Sequence, residues 1–326
     1  MINLKKYLFV LIGFFVLPAF AADVFIVQSY NIEYEWDAEY IDSLKYVLGA
    51  EHNYIIRELD SKRKQANEWQ ETAKQVVEEI KQTRPDVVIV GDDNAMASVG
   101  SALNGSDIPV VFLGVNGTLK DYGVEGSLNV TGVLERPFFE QSVRHLRKVT
   151  ARNKRFLVLM DDSVTMQNAV YETYGDQREV FIQNTQVNFF LSNSAELWQE
   201  KVQTAVEEEY DAIIIGTYHT LRWSDDTYFA PATAMEYLRA ESVIPVFSFW
   251  NIFIGADKAI GGYSITAYEE GKAAARLAQL ILRGISVENV PPITSVSGQY
   301  VYSKKGLEKW GVKLTTLTRS QAIFQE

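Results

Sequence analysis

One stretch of the sequence, residues 85–116, restricts the fold more than any other. The apolar run Val87 to Val90 leads into a polar corner, Gly91 to Asn94, and a second apolar run, Pro109 to Leu113, follows. Continuous Val/Ile runs that alternate with helical segments are typical of a parallel sheet covered on both faces. Ligands of open parallel sheets bind outside the carboxyl ends of the strands. The corner is therefore predicted to belong to a binding site.

A later part of the chain repeats this unit. Residues Asp211 to Gly216 resemble Asp86 to Gly91, and Ile244 to Phe247 resemble Ile108 to Val111. The second copy is longer, and its extra residues fall in 217–229. Two copies of a strand–helix–strand unit in the same order predict two similar α/β lobes. A chain of 326 residues also exceeds the size at which a single core usually stops growing.

The N-terminus has the layout of a secretory signal peptide. Lys5 and Lys6 precede the apolar run Tyr7 to Leu17, and a small-residue processing pattern ends at Ala21. We expect cleavage after Ala21, so that residues 1–21 are removed and the mature protein resides in the periplasm. A retained membrane anchor is the alternative, but the apolar run is short for a span.

The composition excludes several classes of protein. The chain has no cysteine, which rules out disulfides, thiolate metal sites and a cysteine nucleophile. Its formal net charge of −11 opposes binding to nucleic acid or anionic lipid. The motifs G-x-S-x-G, G-x-x-x-x-G-K-[ST], G-x-G-x-x-G and H-E-x-x-H are also missing from the sequence. We predict a protein without catalytic residues, cofactor or metal, and we expect a monomer.

The sequence contains three acidic doublets, and two of them directly follow predicted strands. The doublets are Asp92-Asp93, Asp161-Asp162 and Asp225-Asp226. Paired carboxylates can hold Mg²⁺, act as an acid/base pair, bind a ligand amine or cap the following helix. Capping is the expected role of at least one residue of each doublet, and amine binding is favoured over a metal for another. His219 is the histidine nearest to a predicted corner, but no Ser/Asp pair is identifiable beside it, so a polar loop residue is favoured over a general base.

Aromatic residues are dense after the first predicted strand, Asp23 to Gln28. Tyr30, Tyr34, Trp36 and Tyr40 follow in close succession. Such a cluster suggests the wall of a ligand site, although Trp36 and Tyr40, four residues apart, also fit the buried stripe of a first helix. Tyr30 is assigned to the site, together with the serine before it, and the position of Trp36 is left open.

These corners resemble those of the periplasmic substrate-binding proteins of ABC transporters. The resemblance is to the family with tryptophan- and tyrosine-binding members, and to the branch found as the extracellular sensor domain of histidine kinases and diguanylate cyclases. The matching motifs span the mature chain: Gln28-Ser29-Tyr30-Asn31 with Tyr34 and Trp36, Gly91 to Ala95, Ile108 to Phe112 with Gly114 to Asn116, Asn129 to Val133, Ile244 to Phe247, and Gly261 to Tyr263 before Glu270-Gly271. Asn31 stands where the sensor branch often has histidine.

The resemblance implies a type I periplasmic binding protein, in which two doubly wound Rossmann-like lobes joined by a hinge close over one small ligand. We expect the first lobe to comprise residues 23–133 plus 250–283 and the second lobe residues 134–247 plus 288–326. The ligand cleft is expected between them.

The predicted site residues come from both lobes and from the segment that follows the predicted strand Ile244 to Phe247. They are Ser29, Tyr30, Asp92, Asp93, Asn94, Asn116, Asp161, Thr217, Tyr218, Phe249 and Trp250. Aromatic rings can stack on a ring or a cation, and Asp93 or Asp161 can pair with an amine. This favours an amino acid or a related aromatic or amine compound as ligand, unless the rings fill the cleft and admit only something smaller. Whether Trp250 lines the cleft or packs under the hinge is left open.

The predicted function is capture of a small molecule and its delivery to the permease of an ABC transporter, without chemical turnover. The alternative is a sensing subunit that docks on a membrane histidine kinase or diguanylate cyclase receptor. A third hypothesis is a periplasmic hydrolase that uses His219 and the aspartates.

Overall fold

The computed structural model describes residues 21–295 and 297–326. The predicted signal peptide, apart from Ala21, therefore lies outside the described residues. Within these two ranges, no helix combines the length and the apolar character needed to cross a membrane.

Parallel strands and helices alternate along most of the described chain. The strands are β1 (Asp23–Gln28), β2 (Asn53–Glu58), β3 (Val87–Gly91), β4 (Val110–Val115), β5 (Val130–Leu134), β6 (Arg155–Met160), β7 (Glu179–Ile182), β8 (Thr185–Leu191), β9 (Ala212–Ile215), β10 (Val246–Ser248), β11 (Gly261–Ser264), β12 (Ile293–Thr294), β13 (Gln299–Ser303) and β14 (Ile323–Gln325). The helices are α1 (Glu35–Leu48), α2 (Ala66–Thr83), α3 (Asp92–Ala95), α4 (Phe139–Val149), α5 (Val164–Tyr174), α6 (Ala195–Thr204), α7 (Pro231–Glu241), α8 (Ala267–Leu282), α9 (Lys304–Trp310) and α10 (Thr316–Gln321).

The first lobe is built on a parallel sheet with the strand order β12-β5-β4-β3-β1-β2. Its central strands are apolar along their whole length because helices cover both faces. Val24 and Ile26 belong to the core on the α1 side, whereas Phe25 and Val27 belong to the core on the α2 side. Alternate residues of one strand thus face opposite helical layers.

The second lobe has the sheet order β10-β9-β6-β8-β7, in which only β7 runs antiparallel to its neighbour. If β7 is left out, the order β8-β6-β9-β10 matches the order β2-β1-β3-β4 of the first lobe. In each lobe the first strand along the chain lies between the second and the third, and the fourth lies beside the third. This shared order corresponds to the internal repeat seen in the sequence. The predicted fold class, α/β with two doubly wound lobes, is confirmed.

The segments that connect the lobes depart in detail from the expected ranges. β12 falls in the range expected for the second lobe but pairs with β5 in the first sheet. β11 falls in the range expected for the first lobe but pairs with β13 in a small sheet with β14. Both strands are too short for a periodic pattern to assign them. The residue ranges of the lobes stay a prediction.

Helix α8 packs against α1 in the first lobe at an unusually close distance. A Cβ atom added to Gly271 would lie 2.0 Å from Oγ of Ser43 and 2.6 Å from the backbone oxygen of Tyr40. The absence of a side chain at Gly271 allows this close approach of the two helices.

Candidate functional site

The carboxyl ends of both sheets face each other across an interlobe cleft that contains a cavity of about 40 Å³. The lining residues come from both lobes: Tyr30, Tyr34, Trp36, Lys62, Asp92, Asn116 and Glu135 from the first, and Thr165, Met166, Thr217, Trp250, Ile252 and Phe253 from the second and the crossing segment. A cavity of this size admits water but no molecule as large as an amino acid. The lobes are therefore in contact around a small, mainly aromatic and acidic space, which we call the cleft cavity.

Two larger depressions lie elsewhere. One, of about 600 Å³, opens at the mouth of the cleft and shares Tyr34, Ile252 and Phe253 with the cleft cavity. The other, of about 1000 Å³, lies at the amino ends of the strands of the second sheet, where Tyr210 and Trp310 form part of its lining. Ligands of open parallel sheets bind at the carboxyl ends of strands, so position favours the cleft cavity over the larger groove.

Asp92 stands directly after β3 and presents a buried carboxyl group to the cleft cavity. Its backbone adopts the left-handed conformation with a φ of 74°, which is uncommon for a residue other than glycine. Oδ1 accepts a 2.9 Å hydrogen bond from the Tyr30 hydroxyl. Burial, followed by the neighbouring Asp93, raises the pKa of Asp92 to about 7. A positive charge in the cavity would stabilise its ionised form.

The next carboxylate, Asp93, is used mainly within the first lobe. Oδ1 accepts hydrogen bonds from the backbone N–H groups of Asn116 and Gly117, at 3.0 and 3.1 Å, and from the Tyr122 hydroxyl. Oδ2 lies 3.4 Å from Oγ1 of Thr165 in the second lobe. Asp93 thus fastens the loop after β4 and contacts the opposite lobe.

Ser29 and Asn94 order the corner and are not among the described residues lining the cleft cavity. Ser29 Oγ donates to the backbone oxygen of Gly91 at 2.6 Å and accepts from the backbone N–H of Ala95 at 2.7 Å. Asn94 Nδ2 donates to Ser61 Oγ at 2.8 Å. Both side chains tie neighbouring strand ends together.

Asp161 of the second lobe plays a similar part. Its oxygens accept hydrogen bonds from the hydroxyls of Ser163 and Thr217, at 2.7 and 2.8 Å, and from the backbone N–H of His219 at 2.7 Å. Asp161 is buried and committed to these loops, whereas Thr217 lines the cleft cavity. The helix-capping role expected for one residue of this doublet is wrong, because Ser163 is the N-cap of α5 and Asp161 accepts from loop groups instead.

Tyr218 and Phe249 lie beside the cleft cavity and are not among its described lining residues. The Tyr218 ring stacks on His219 at 5.3 Å between centroids and also contacts Phe253, at the mouth of the cleft. Phe249 packs edge-on against Phe139 at 4.9 Å in the core of the second lobe.

Trp250 lines the cleft cavity and is also packed in the protein, with 3% of its surface exposed. It follows β10 of the second lobe, and its Nε1 donates a 2.9 Å hydrogen bond to Oε1 of Glu135, which follows β5 of the first lobe. Burial, followed by the charge of Asp92, raises the pKa of Glu135 well above its usual value. Trp250 therefore both lines the cleft cavity and packs between the lobes.

Trp36 also lines the cleft cavity, although it belongs to the buried face of α1. Within the described residues, its Nε1 has no hydrogen-bond partner, and neither has Oδ1 of Asn116, which lines the same cavity. Buried polar atoms are nearly always paired. In the described part of the chain, one donor and one acceptor are thus left unpaired at the wall of the cleft cavity.

Lys62 is the most informative residue that the sequence analysis missed. Its Nζ lies 4.0 Å from the ring centroid of Tyr30 and 4.2 Å from that of Tyr34, and donates to the Tyr34 hydroxyl at 3.2 Å. Burial lowers the pKa of its ammonium group, an effect that the charge of Asp92 opposes. The residue as a whole is exposed, whereas its charged end packs in the cleft.

Some of the missed residues carried a usable signal. Lys62 and Glu135 come just after β2 and β5, so applying the strand-end rule to every strand of the sheet would have included them. Tyr34 belongs to the aromatic cluster that was noted. Nothing in the sequence marks Met166, Ile252 or Phe253, which are ordinary apolar residues. Among the described residues, no three His, Asp or Glu side chains are grouped to hold a metal ion.

Comparison with known proteins gives one family and a shared fold. The family described as ABC transporter substrate binding protein matches residues 39–322. A structure of an ABC domain in complex with L-Trp from Streptococcus pneumoniae is 15% identical, with a TM-score of 0.64, and the match covers 94% of this chain and 100% of that one. A ligand-free, open substrate-binding protein with adhesive properties from Clostridium difficile is 14% identical, with a TM-score of 0.69 and coverages of 94% and 100%.

An ABC transporter solute-binding protein from Bacillus halodurans with bound myo-inositol is 13% identical, with a TM-score of 0.52 and coverages of 89% and 98%. At these identities the structures show the fold alone, which is that of type I periplasmic binding proteins. No curated protein sequence matches the chain. Because the family match extends over most of the sequence, the chain belongs to the ABC transporter substrate-binding protein family.

Proposed function

We propose that this protein captures a small amine-bearing molecule, an amino acid or a related aromatic or amine compound, in the cleft cavity and delivers it to an ABC permease. The observation that carries the proposal is the pairing of rings and carboxyl groups in one small space. The rings of Tyr30 and Tyr34 already hold an ammonium group at 4.0 and 4.2 Å. The carboxyl groups of Asp92 and Glu135 line the same cavity.

The chemistry of this lining favours a cation. A desolvated ammonium over an aromatic face gains about 2 kcal/mol. Burial alone works against the ionised forms of Asp92 and Glu135, and a bound ammonium would compensate for that cost. An anionic or purely apolar ligand would bring no positive charge to offset the burial of these carboxyl groups.

Ligand contacts from both lobes would couple binding to closure. Asp92 and Asn116 belong to the first lobe, whereas Thr217 and Trp250 follow strands of the second. A ligand that touches both sides binds the closed arrangement better than an open one and shifts the hinge equilibrium towards it. Capture then proceeds without chemical turnover, in a protein that we propose to be exported by residues 1–21 to the periplasm.

Mass spectrometry of small molecules released from the natively purified protein tests the ligand class. We expect a compound with a protonated amine, present in stoichiometric amount in the wild type and depleted in Asp92→Asn. Asp162→Asn is the matched control, because Asp162 is the exposed neighbour in another acidic doublet. Stoichiometric release of a sugar or an inorganic anion would contradict the proposal.

Uptake of the identified compound in cells that lack the gene tests the delivery role. We expect uptake to fall and to recover on complementation with the wild type. Unchanged uptake, with loss of a ligand-dependent kinase or cyclase response, would instead support the sensing subunit that the sequence left open.

A further inference from the structure

We infer that Lys62 is a tethered competitor for the ligand: its ammonium group occupies the cation position between Tyr30 and Tyr34, and a ligand amine must displace it to bind. The inference rests on the proposed function and adds to it a residue that sets the affinity of the site.

The contacts of Lys62 are those expected of a bound amine. Its Nζ faces two rings, which lie edge to face with centroids 5.1 Å apart, and also donates to the Tyr34 hydroxyl. Two aromatic faces and a hydroxyl acceptor form a complete small site for an ammonium ion. A ligand amine and the lysine cannot occupy it together.

Hydrogen bonds hold the backbone of the loop that carries Lys62. The lysine side chain can leave the cleft cavity while this backbone stays in place. Ser61 Oγ donates to the backbone oxygen of Ser29 at 2.8 Å and accepts from Asn94. Asp60, on the same loop, accepts from Asn31 Nδ2 at 2.9 Å. Because Lys62 is exposed as a whole, rotation of its stem takes the ammonium from the cleft to solvent.

Charge and volume agree with an exchange of one cation for another. Among the described residues that line the cleft cavity, Lys62 is the one cation, and of the carboxyl groups there it is Asp92 whose charge acts on it. Withdrawal of Lys62 leaves Asp92 without this counterion until a ligand ammonium arrives. The remaining space of about 40 Å³ is too small for an amino acid, so departure of the lysine also makes room.

A tethered competitor raises the contact energy that any ligand must supply. An uncharged or anionic molecule cannot replace the lost cation–ring contacts, whereas an amine can, so the rings and carboxyl groups favour the amine. The apparent affinity of each ligand is its intrinsic affinity multiplied by the fraction of time that the lysine leaves the site free.

Substitution of the lysine tests the inference directly. Lys62→Met keeps the unbranched stem and removes the charge, and Lys64→Met is the control on the exposed part of the same loop. Calorimetry with phenethylamine, at about pH 8.5 so that Asp92 stays ionised, should show binding about tenfold tighter for Lys62→Met than for the wild type. Lys64→Met should bind like the wild type. Thermal melts confirm that both variants fold.

Chemical labelling of the wild type gives a second readout. We expect the acetylation rate of Lys62, divided by that of Lys64 in the same sample because free phenethylamine also consumes the reagent, to rise severalfold with saturating phenethylamine. A Lys62 that phenethylamine protects from acetylation, or an affinity for phenethylamine that Lys62→Met leaves unchanged or weakens, would overturn the inference. Weaker binding of L-phenylalanine to Lys62→Met than to the wild type would also overturn the inference, because Lys62 would then anchor a ligand carboxylate.

The experiment distinguishes failure of the amine-binding function from failure of the role inferred for Lys62. If neither the wild type nor Lys62→Met binds phenethylamine or L-phenylalanine, the amine-binding function itself is contradicted. If both proteins bind with equal affinity, the function stands and only the role of Lys62 is wrong.

Discussion

The indole nitrogen of Trp250 lies 2.9 Å from Oε1 of Glu135, and this hydrogen bond joins a strand end of one lobe to a strand end of the other. Both residues are buried and both line the cleft cavity. Trp250 is therefore both a structural contact between the lobes and a wall of the cleft cavity.

Replacing this indole should lower stability before any ligand is added. We predict that Trp250→Phe reduces the free energy of unfolding of the ligand-free protein by about 1–3 kcal/mol, because the buried Glu135 carboxyl loses its donor. Urea unfolding measures the change, and Trp310→Phe, at a half-buried position outside the cleft, should have a smaller effect. An unchanged unfolding curve with weaker ligand binding would restrict Trp250 to the ligand site.

The close approach of α8 to α1 leads to a second prediction. Gly271→Ala should destabilise the protein by about 1–3 kcal/mol, since the added methyl group clashes with Ser43 and with the backbone of Tyr40. At Gly255, by contrast, the nearest atom to an added Cβ lies at an ordinary 3.6 Å. Thermal denaturation should therefore show a lower melting temperature for Gly271→Ala than for Gly255→Ala, and equal values would contradict the packing described.

A buried carboxyl group outside the cleft cavity should make stability depend on pH. Burial raises the pKa of Glu270 from 4.5 to about 8. The native state thus keeps a proton that the unfolded state loses at lower pH, so this contribution to stability is present at acidic pH and is lost as pH rises from about 4.5 to about 8.

The free energy of unfolding of the wild type relative to Glu270→Gln should fall across this window, by up to about 1.4 kcal/mol per pH unit. Denaturant unfolding at a series of pH values measures the difference, and the exposed Glu288→Gln serves as control. Parallel pH curves for the wild type and Glu270→Gln would show that Glu270 does not titrate as described.

The sequence predicted the fold far better than the roles of single site residues. The apolar runs of β3 and β4 and their second copies identified two parallel sheets, because strands buried on both faces have an unmistakable composition. The strand-end rule then placed Tyr30, Asp92 and Asn116 near the cleft, where the structure has them lining one cavity. β12, with two residues, carries no periodic signal at all.

The rule locates a corner but does not say which way a carboxylate turns. Asp93 and Asp161 satisfy backbone N–H groups, whereas Asp92, beside Asp93 in sequence, lines the cleft cavity. The left-handed backbone of Asp92 makes this difference, and it has no sequence signature in an aspartate. Lys62 was missed because the rule was not applied to the loop after β2.

The central claim, that the cleft cavity selects a ligand by its positive charge, is tested most directly by calorimetry with two probes of nearly the same shape. Phenethylamine and phenethyl alcohol differ in the group that would meet Tyr30, Tyr34 and Asp92. We predict that the wild type binds the amine at least about tenfold more tightly, which corresponds to about 1.4 kcal/mol, and that Asp92→Asn reduces this preference. Equal affinities, or tighter binding of the alcohol, would contradict the claim.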